Sequence, residues 1–304
     1  MIVVCGEALI DIVAAGDGTI RPVPGGGPFN TALALARLDV PTSFLGRIST
    51  DPFGQMLAQR LAEAGVDLSL TSRGAEPTTL AVAEVDGDGL ADYQFYVELT
   101  SAPNLTPAMV PSRLDGSVTA LHVGTLGLML EPMASTLFDL VSRESAHRLV
   151  MLDPNVRPAL LTDSAAYCAR IKTLMALSTI VKASDADVAW LFPGVELEAA
   201  AEQMLAFGAS LVVVTLGAKG AFGVSPGIKK RVTAPSVEVV DTIGAGDAFG
   251  AALLAWLHDR GALKTDLTLG AGDLESALEF ACLVASLTCT RAGAEPPGRA
   301  ALMV

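Results

Sequence analysis

The 304-residue sequence predicts an α/β fold built on a mostly parallel sheet. Three observations carry that expectation. From residue 118 onward, β-branched apolar runs alternate with longer runs of helical periodicity. Glycine-rich turns open apolar helices near both ends of the chain, at 25–30 and at 244–250. Hydrophobic residues make up 51% of the chain but aromatics only 5%, which suits a core packed from Ala, Val and Leu.

Residues 2–13 are apolar and β-branched and read as a strand, interrupted by Asp11. Aspartate is disfavoured inside a strand, so Asp11 marks a strand end, an exposed turn or a ligand contact. Gly25-Gly26-Gly27-Pro28-Phe29-Asn30 then opens a helix that runs to Leu38. Its glycines admit close approach of a flat polyol, to which Asn30 offers both donor and acceptor. The competing reading is a tight turn with Asn30 as a local cap. Thr42 to Ile48 is a strand. Asp51 as N-cap and Pro52 at the first helical position start a helix that runs to about Ala64 and ends at Gly65. Thr78 to Val85 and Asp92 to Val97 form a hairpin around a turn at 86–89. With strand material near 12–23 it makes a small sheet outside the main one.

Strands follow at Val118–Val123, Arg148–Asp153, Thr179–Ala183 and Leu211–Thr215. Between them lie helices at Pro132–Ala146, Ala165–Leu177, Asp185–Phe192 and Glu196–Phe207. Such βαβ units place ligands at the carboxyl ends of the strands. Asp153, Asn155, Arg157, Ser184, Asp187 and Gly217 fall at such ends. Val237 to Val240 reads as a strand end leading into Asp241-Thr242-Ile243-Gly244-Ala245-Gly246-Asp247. Gly244 to Asp247 then occupy the first turn of a buried helix, where free N–H groups and the helix dipole suit a phosphate. Asp247 is either a helix cap or a base that takes a proton from a hydroxyl attacking phosphorus. A last helix spans Leu274 to Cys289.

The formal net charge of -13 repels phosphate backbones and anionic lipid, which argues against nucleic-acid and membrane partners. Cys5, Cys168, Cys282 and Cys289 lack metal-ligand spacing and read as reduced thiols of a cytoplasmic protein. His122, His147 and His258 are too dispersed for a zinc site. The N-terminal run lacks a basic leader, and no stretch approaches the roughly 20 apolar residues of a membrane span. Neither a dinucleotide fingerprint nor a P-loop is present.

The run Asp241 to Phe249 resembles the C-terminal signature of the ribokinase-like (PfkB) carbohydrate kinases, and Gly25 to Asn30 resembles their N-terminal one. The resemblance covers essentially the whole chain and is closest in motif to fructokinases. It implies one ribokinase-like α/β domain over 1–304, a three-layer sandwich with a β lid from about 12–23 and 78–97. Asp247 is then the catalytic base, with Gly244, Ala245 and Gly246 as the anion hole. Asp11, Gly26, Gly27, Asn30 and Arg157 bind the sugar, and Tyr93, Phe95 and Tyr96 stack on it or pack across strands. Ser184, Thr215, Gly217, Gly220, Gly246 and Cys282 meet the nucleotide. The chain has Ser184 and Asp187 where the family keeps an Asn-x-x-Glu pattern, so Asp187 organises Mg²⁺ through water. Asp241, Ile243, Ala285 and Gly293 form a monovalent-cation site, with K⁺ as the candidate ion. The lid implies a homodimer.

The expected activity is therefore transfer of the γ-phosphoryl group of ATP to a sugar hydroxyl, with fructose first and O6-type chemistry. The Asp153 to Arg157 run also suits 2-keto-3-deoxygluconate, and ribose is a further acceptor. A non-catalytic sugar- or nucleotide-binding regulator is the alternative of a different class.

Overall fold

The computed structural model describes residues 1–14, 20–85 and 91–302. In chain order the chain forms β1 (Ile2–Cys5), β2 (Leu9–Ala14), β3 (Ile20–Gly25), α1 (Gly27–Arg37), β4 (Thr42–Leu45), β5 (Arg47–Ser49) and α2 (Pro52–Glu63). Next come β6 (Ser72–Gly74), β7 (Leu80–Val85), β8 (Ala91–Tyr96), β9 (Ala120–Gly124), α3 (Met133–Glu144), β10 (Leu149–Asp153) and α4 (Ser164–Leu177). The rest is β11 (Ile180–Ser184), α5 (Asp185–Leu191), α6 (Leu197–Ala206), β12 (Leu211–Thr215), β13 (Ala221–Ser225), β14 (Ile228–Val232), α7 (Ala245–Asp259) and α8 (Ala271–Thr288).

Eight strands make the main sheet in the order β14-β13-β12-β11-β10-β9-β1-β4. From β12 to β4 every pairing is parallel; β13 and β14 add an antiparallel edge. Successive side chains point to opposite faces of a strand, and here both faces are buried. Val4, Met151 and Val213 pack with α1, α7 and α8, while Val3, Leu152 and Val212 pack with α3 to α6. The α/β class with a mostly parallel sheet is as the sequence predicts.

A separate four-stranded sheet has the order β3-β2-β7-β8, with β2 and β7 parallel and the other pairs antiparallel. Its turn at 86–89, residues 15–19 and the side chain of Tyr93 lie outside the described residues. Asp51 caps α2, accepting from Gly54 N at 2.7 Å, and also accepts from Thr78 N at 2.8 Å, which ties this helix to the chain entering β7.

Three expectations need correction. The single strand over 2–13 is two strands in two sheets. The chain breaks at Gly6, whose φ of 144° a side chain would rarely tolerate and whose Cβ would lie 2.5 Å from Pro28. The expected strand over Thr42 to Ile48 is likewise split at Gly46 between β4 and β5. Val237 to Val240 is no strand: Val240 and Asp241 donate their N–H groups to the Cys289 carbonyl at the end of α8 instead of to a ladder. The sheet edge is made by β13 and β14 around the turn dipeptide Pro226-Gly227, an edge beyond the expected strands.

Candidate active site

Helix α7 starts at Gly244, which sits in the left-handed region at φ 75° and carries no capping side chain. The N–H groups of Gly246 and Asp247 have no hydrogen-bond partner among the described residues, whereas Ala245 N donates to Thr242 O at 3.2 Å. Of the N–H groups expected to form the anion hole, only that of Ala245 is thus already engaged among the described residues. Asp247, at the third helical position, is buried at 8% exposure yet caps nothing. Its Oδ2 accepts from Asn30 Nδ2 at 2.9 Å. That bond overturns the reading of Asn30 as a local cap of α1 and leaves Asn30 Oδ1 buried without a partner.

Helix α1 brings its glycine turn to the same place because α1 packs against α7. A Cβ on Gly27 would lie 2.3 Å from Thr125 Oγ1 and 3.3 Å from Asp247 Oδ1, so only glycine fits there. Gly26 needs its φ of 106° for the same turn. Asp11 lies within β2, its carboxylate over Gly25, which excludes the exposed-turn reading. Thr125 and Asn155 follow the carboxyl ends of β9 and β10, both at positive φ, and Asn155 Nδ2 donates to Thr125 Oγ1 at 3.2 Å. Arg157 donates to Asn155 Oδ1 at 2.6 Å; it makes no salt bridge to Asp153, whose partner is Lys182.

These groups line one cavity of about 750 Å³, the size of a small-ligand cleft. Gly26, Gly27, Asn30, Asp11 and Arg157 share it with Ser184, Asp187, Thr215, Gly217, Gly220 and Cys282. Ile243 and Ala285 line it as well, whereas Asp241 and Gly293 lie outside its wall. Asp241 instead accepts from Ile243 N at 3.0 Å and from Gly293 N at 2.8 Å, holding the two segments together. Asp187 and Ser184 form a reciprocal cap on α5. Asp187 Oδ1 also accepts from Val156 N at 2.7 Å. Phe95 lines the cavity, but Tyr96 is half exposed and donates to Gln94.

Burial pushes the Asp247 carboxyl above its ordinary value, opposed by the Asn30 hydrogen bond and by Lys182 and Arg157. Asp11 is pushed to about 7 by burial and by the charge of Asp247, against Arg157. Glu7 is raised to about 8, chiefly by burial. Its oxygens accept from Gly27 N and Gly127 N, each at 3.1 Å. Burial lifts the Cys282 thiol to about 11, so it presents a neutral, weakly polar surface to the cavity.

Sequence reasoning missed Glu7, Thr125 and Lys182. Lys182 had a visible signal: a lysine inside the apolar run Ile180 to Ala183 needs a buried partner. Thr125 follows a strand end, where ligands gather in such sheets.

The chain matches the pfkB family carbohydrate kinase description over residues 1–300. It is 41% identical over 261 residues to a fructokinase of Rhizobium leguminosarum bv. trifolii, covering 84% of this chain and 79% of that protein. A crystal structure of fructokinase from Vibrio cholerae O395 in fructose, ADP and calcium ion bound form superposes with a TM-score of 0.87 at 29% identity, covering 99% and 97% of the two chains. Fructokinase with bound ATP from Xylella fastidiosa gives 0.88 at 28%, covering 96% and 93%. With the ribokinase-like architecture, the glycine turns of α1 and α7 and a whole-length match in agreement, the chain belongs to the pfkB family of carbohydrate kinases.

Proposed function

We propose that the protein is an ATP-dependent fructokinase. The observation that carries this reading is the carboxylate of Asp247. It stands at the open N-terminus of α7, uncommitted to capping, and is oriented from α1 by Asn30. An acceptor hydroxyl in the cavity loses its proton to Asp247, and its oxygen forms a bond to the γ-phosphorus as the bond to ADP breaks. The N–H groups of Gly246 and Asp247 face the charge on the moving phosphoryl group, a contribution of the kind that supplies most electrostatic catalysis. Asp11 and the free Oδ1 of Asn30 offer acceptors to further sugar hydroxyls. Gly26 and Gly27 let a sugar ring approach the backbone, and Ser184, Thr215, Gly217, Gly220 and Cys282 border the space for ATP.

Asp187 would hold Mg²⁺, which when bound would supply positive charge against the ATP phosphates. Asp187 fits a water-mediated contact to it: three hydrogen bonds already use most of its roughly four acceptor positions. Asp241 with the carbonyls of Ile243, Ala285 and Gly293 offers the hard oxygen donors that suit K⁺, and the two hydrogen bonds of Asp241 tie the Ile243 and Gly293 segments together. The four-stranded sheet over the cavity mouth, with Leu9, Asp11 and Phe95 facing in, acts in this reading as a lid that excludes water. We take residues 1–304 as one domain with that lid. The free thiols of the four cysteines agree with a cytoplasmic protein, and no described helix is long and apolar enough to cross a membrane.

A coupled ADP assay across fructose, ribose, 2-keto-3-deoxygluconate and adenosine tests the acceptor. Fructose is expected to give the highest kcat/KM. Arg157 in the cavity wall favours the keto-deoxy acid as the second acceptor, because its guanidinium suits a carboxylate. Asp247→Asn should lower kcat by about 10³-fold or more while ATP-analogue binding persists. Near-normal turnover in that variant refutes the base assignment, and absence of sugar-dependent ADP release in the native protein favours a binding regulator.

A further inference from the structure

The ion pair Lys182–Asp153 has no task in the scheme above. Lys182 Nζ and Asp153 Oδ2 are 2.7 Å apart, and the two residues are 3% and 2% exposed. Burying both ions removes their hydration, so a well-packed apolar pair serves packing alone at least as well. The ammonium has a definite address. A Cβ on Gly246 would meet Lys182 Nζ at 3.2 Å, whereas one on Gly250, a turn further along α7, would meet Met151. Lys182 therefore lies beneath the first turn of α7 and in the cavity wall. Three further buried polar atoms near this end of the sheet have no partner: Asp153 Oδ1 and both ring nitrogens of His122, which pairs in register with Met151 on β10.

We infer that Lys182 is a positioning residue for phosphoryl transfer: anchored by Asp153, its ammonium supplies the fixed positive charge beneath Gly246 that keeps Asp247 ionised and favours phosphate at the turn. The inference rests on the reading of Asp247 as the base. Lys182 keeps its proton throughout; the hydroxyl proton goes to Asp247. Burial alone would favour neutral lysine, but Asp153, with Asp247 and Asp187, overrides it and holds the ammonium charged. His122, on β9, is neutral, its ring pushed down to about 3 by burial and by Lys182. Asp247 in turn is faced by Lys182 from β11, Asp153 from β10, Arg157 after β10, Glu7 after β1 and Asp11 from β2.

Lys182→Met alone leaves Asp153 buried without a counter-ion and is a poor test. The double variant Lys182→Gln/Asp153→Asn keeps a neutral hydrogen-bonding pair of similar shape. In it kcat should fall about 10²-fold, a loss typical of removing one electrostatic contact to a transition state. KM for sugar should change little, and the acid limb of the kcat–pH profile should move up by about one unit. Asp153→Asn alone retains the ammonium and removes an anion that faces Asp247, so its acid limb should move down. Opposite movements in the two variants support the inference, since a merely structural pair shifts neither limb. Unmoved limbs, or an unchanged kcat in the double variant, overturn it; should the double variant not fold, an upward limb in Asp153→Asn does so. Activity retained in Asp247→Asn instead overturns the base reading itself, whatever Lys182 does.

Discussion

As the proposed base, Asp247 must be ionised, and its neighbours pull its titration both ways. Burial raises it, while Asn30, Lys182 and Arg157 lower it, with a net position above the ordinary 3.8. Turnover should therefore rise with pH along an acid limb that lies above the usual carboxylate range. Arg157→Leu removes a cation from both Asp247 and Asp11. The limb should then shift to higher pH, which a pH series of kcat measures directly. Gly27→Ala acts by shape. Its methyl group collides with Thr125 and crowds Asp247, and a displaced base should cost about 10²-fold in kcat/KM. Residues inside continuous motifs, such as Asp247 and Asn30, were legible in the sequence. Their mutual hydrogen bond was not, because it joins two segments whose meeting depends on how α1 packs against α7. Lys182 and Thr125 were hidden for the same reason: strand register brings them to the cavity, and no local spacing encodes register.

Helix α1 is held at its first turn by Glu7, which accepts from Gly27 N and ties it to Gly127. A carboxylate suits a helix N-terminus, yet burial lifts Glu7 to about 8 from its ordinary 4.5. Between those values the folded chain holds a proton that the unfolded chain has released. Stability from this group is thus fully present at low pH and declines as pH rises toward the folded value, by up to about 1.4 kcal/mol per pH unit. Asp11, lifted to about 7, adds a decline of the same sign. Glu7→Gln removes one of these titrations. Its melting temperature should depend less on pH between about 5 and 8, although Gln accepts from only one of the two N–H groups through its single carbonyl. Calorimetry across that range checks the slope. At this scale the start of α2 was readable from Asp51-Pro52, since capping is a local property. The split at Gly6 was not: both halves are apolar and β-branched, and only the two sheets that receive them tell them apart.

Across the whole molecule, strand–helix alternation gave away the parallel sheet, because a parallel crossover needs a covering helix. The antiparallel edge of β13 and β14 escaped, since the alternating exposure of Ile228 to Val232 is short and richly charged. The four-stranded sheet carries exposed apolar residues at Ile20 and Tyr96, with Leu99 just beyond β8. We expect two copies to pair through this sheet. Sedimentation at micromolar concentration should report a dimer, and a monomer there counts against the pairing. β1 lies between β4 and β9, and Asn30 orients a carboxylate 217 positions further on. During synthesis the first strand stays one-sided until residues 120–124 emerge from the ribosome. The acceptor pocket has no floor until α7 has left the exit tunnel. A nascent chain halted before that helix carries neither Gly246 nor Asp247, so in the proposed scheme it has no base, and truncation there should leave no measurable phosphorylation.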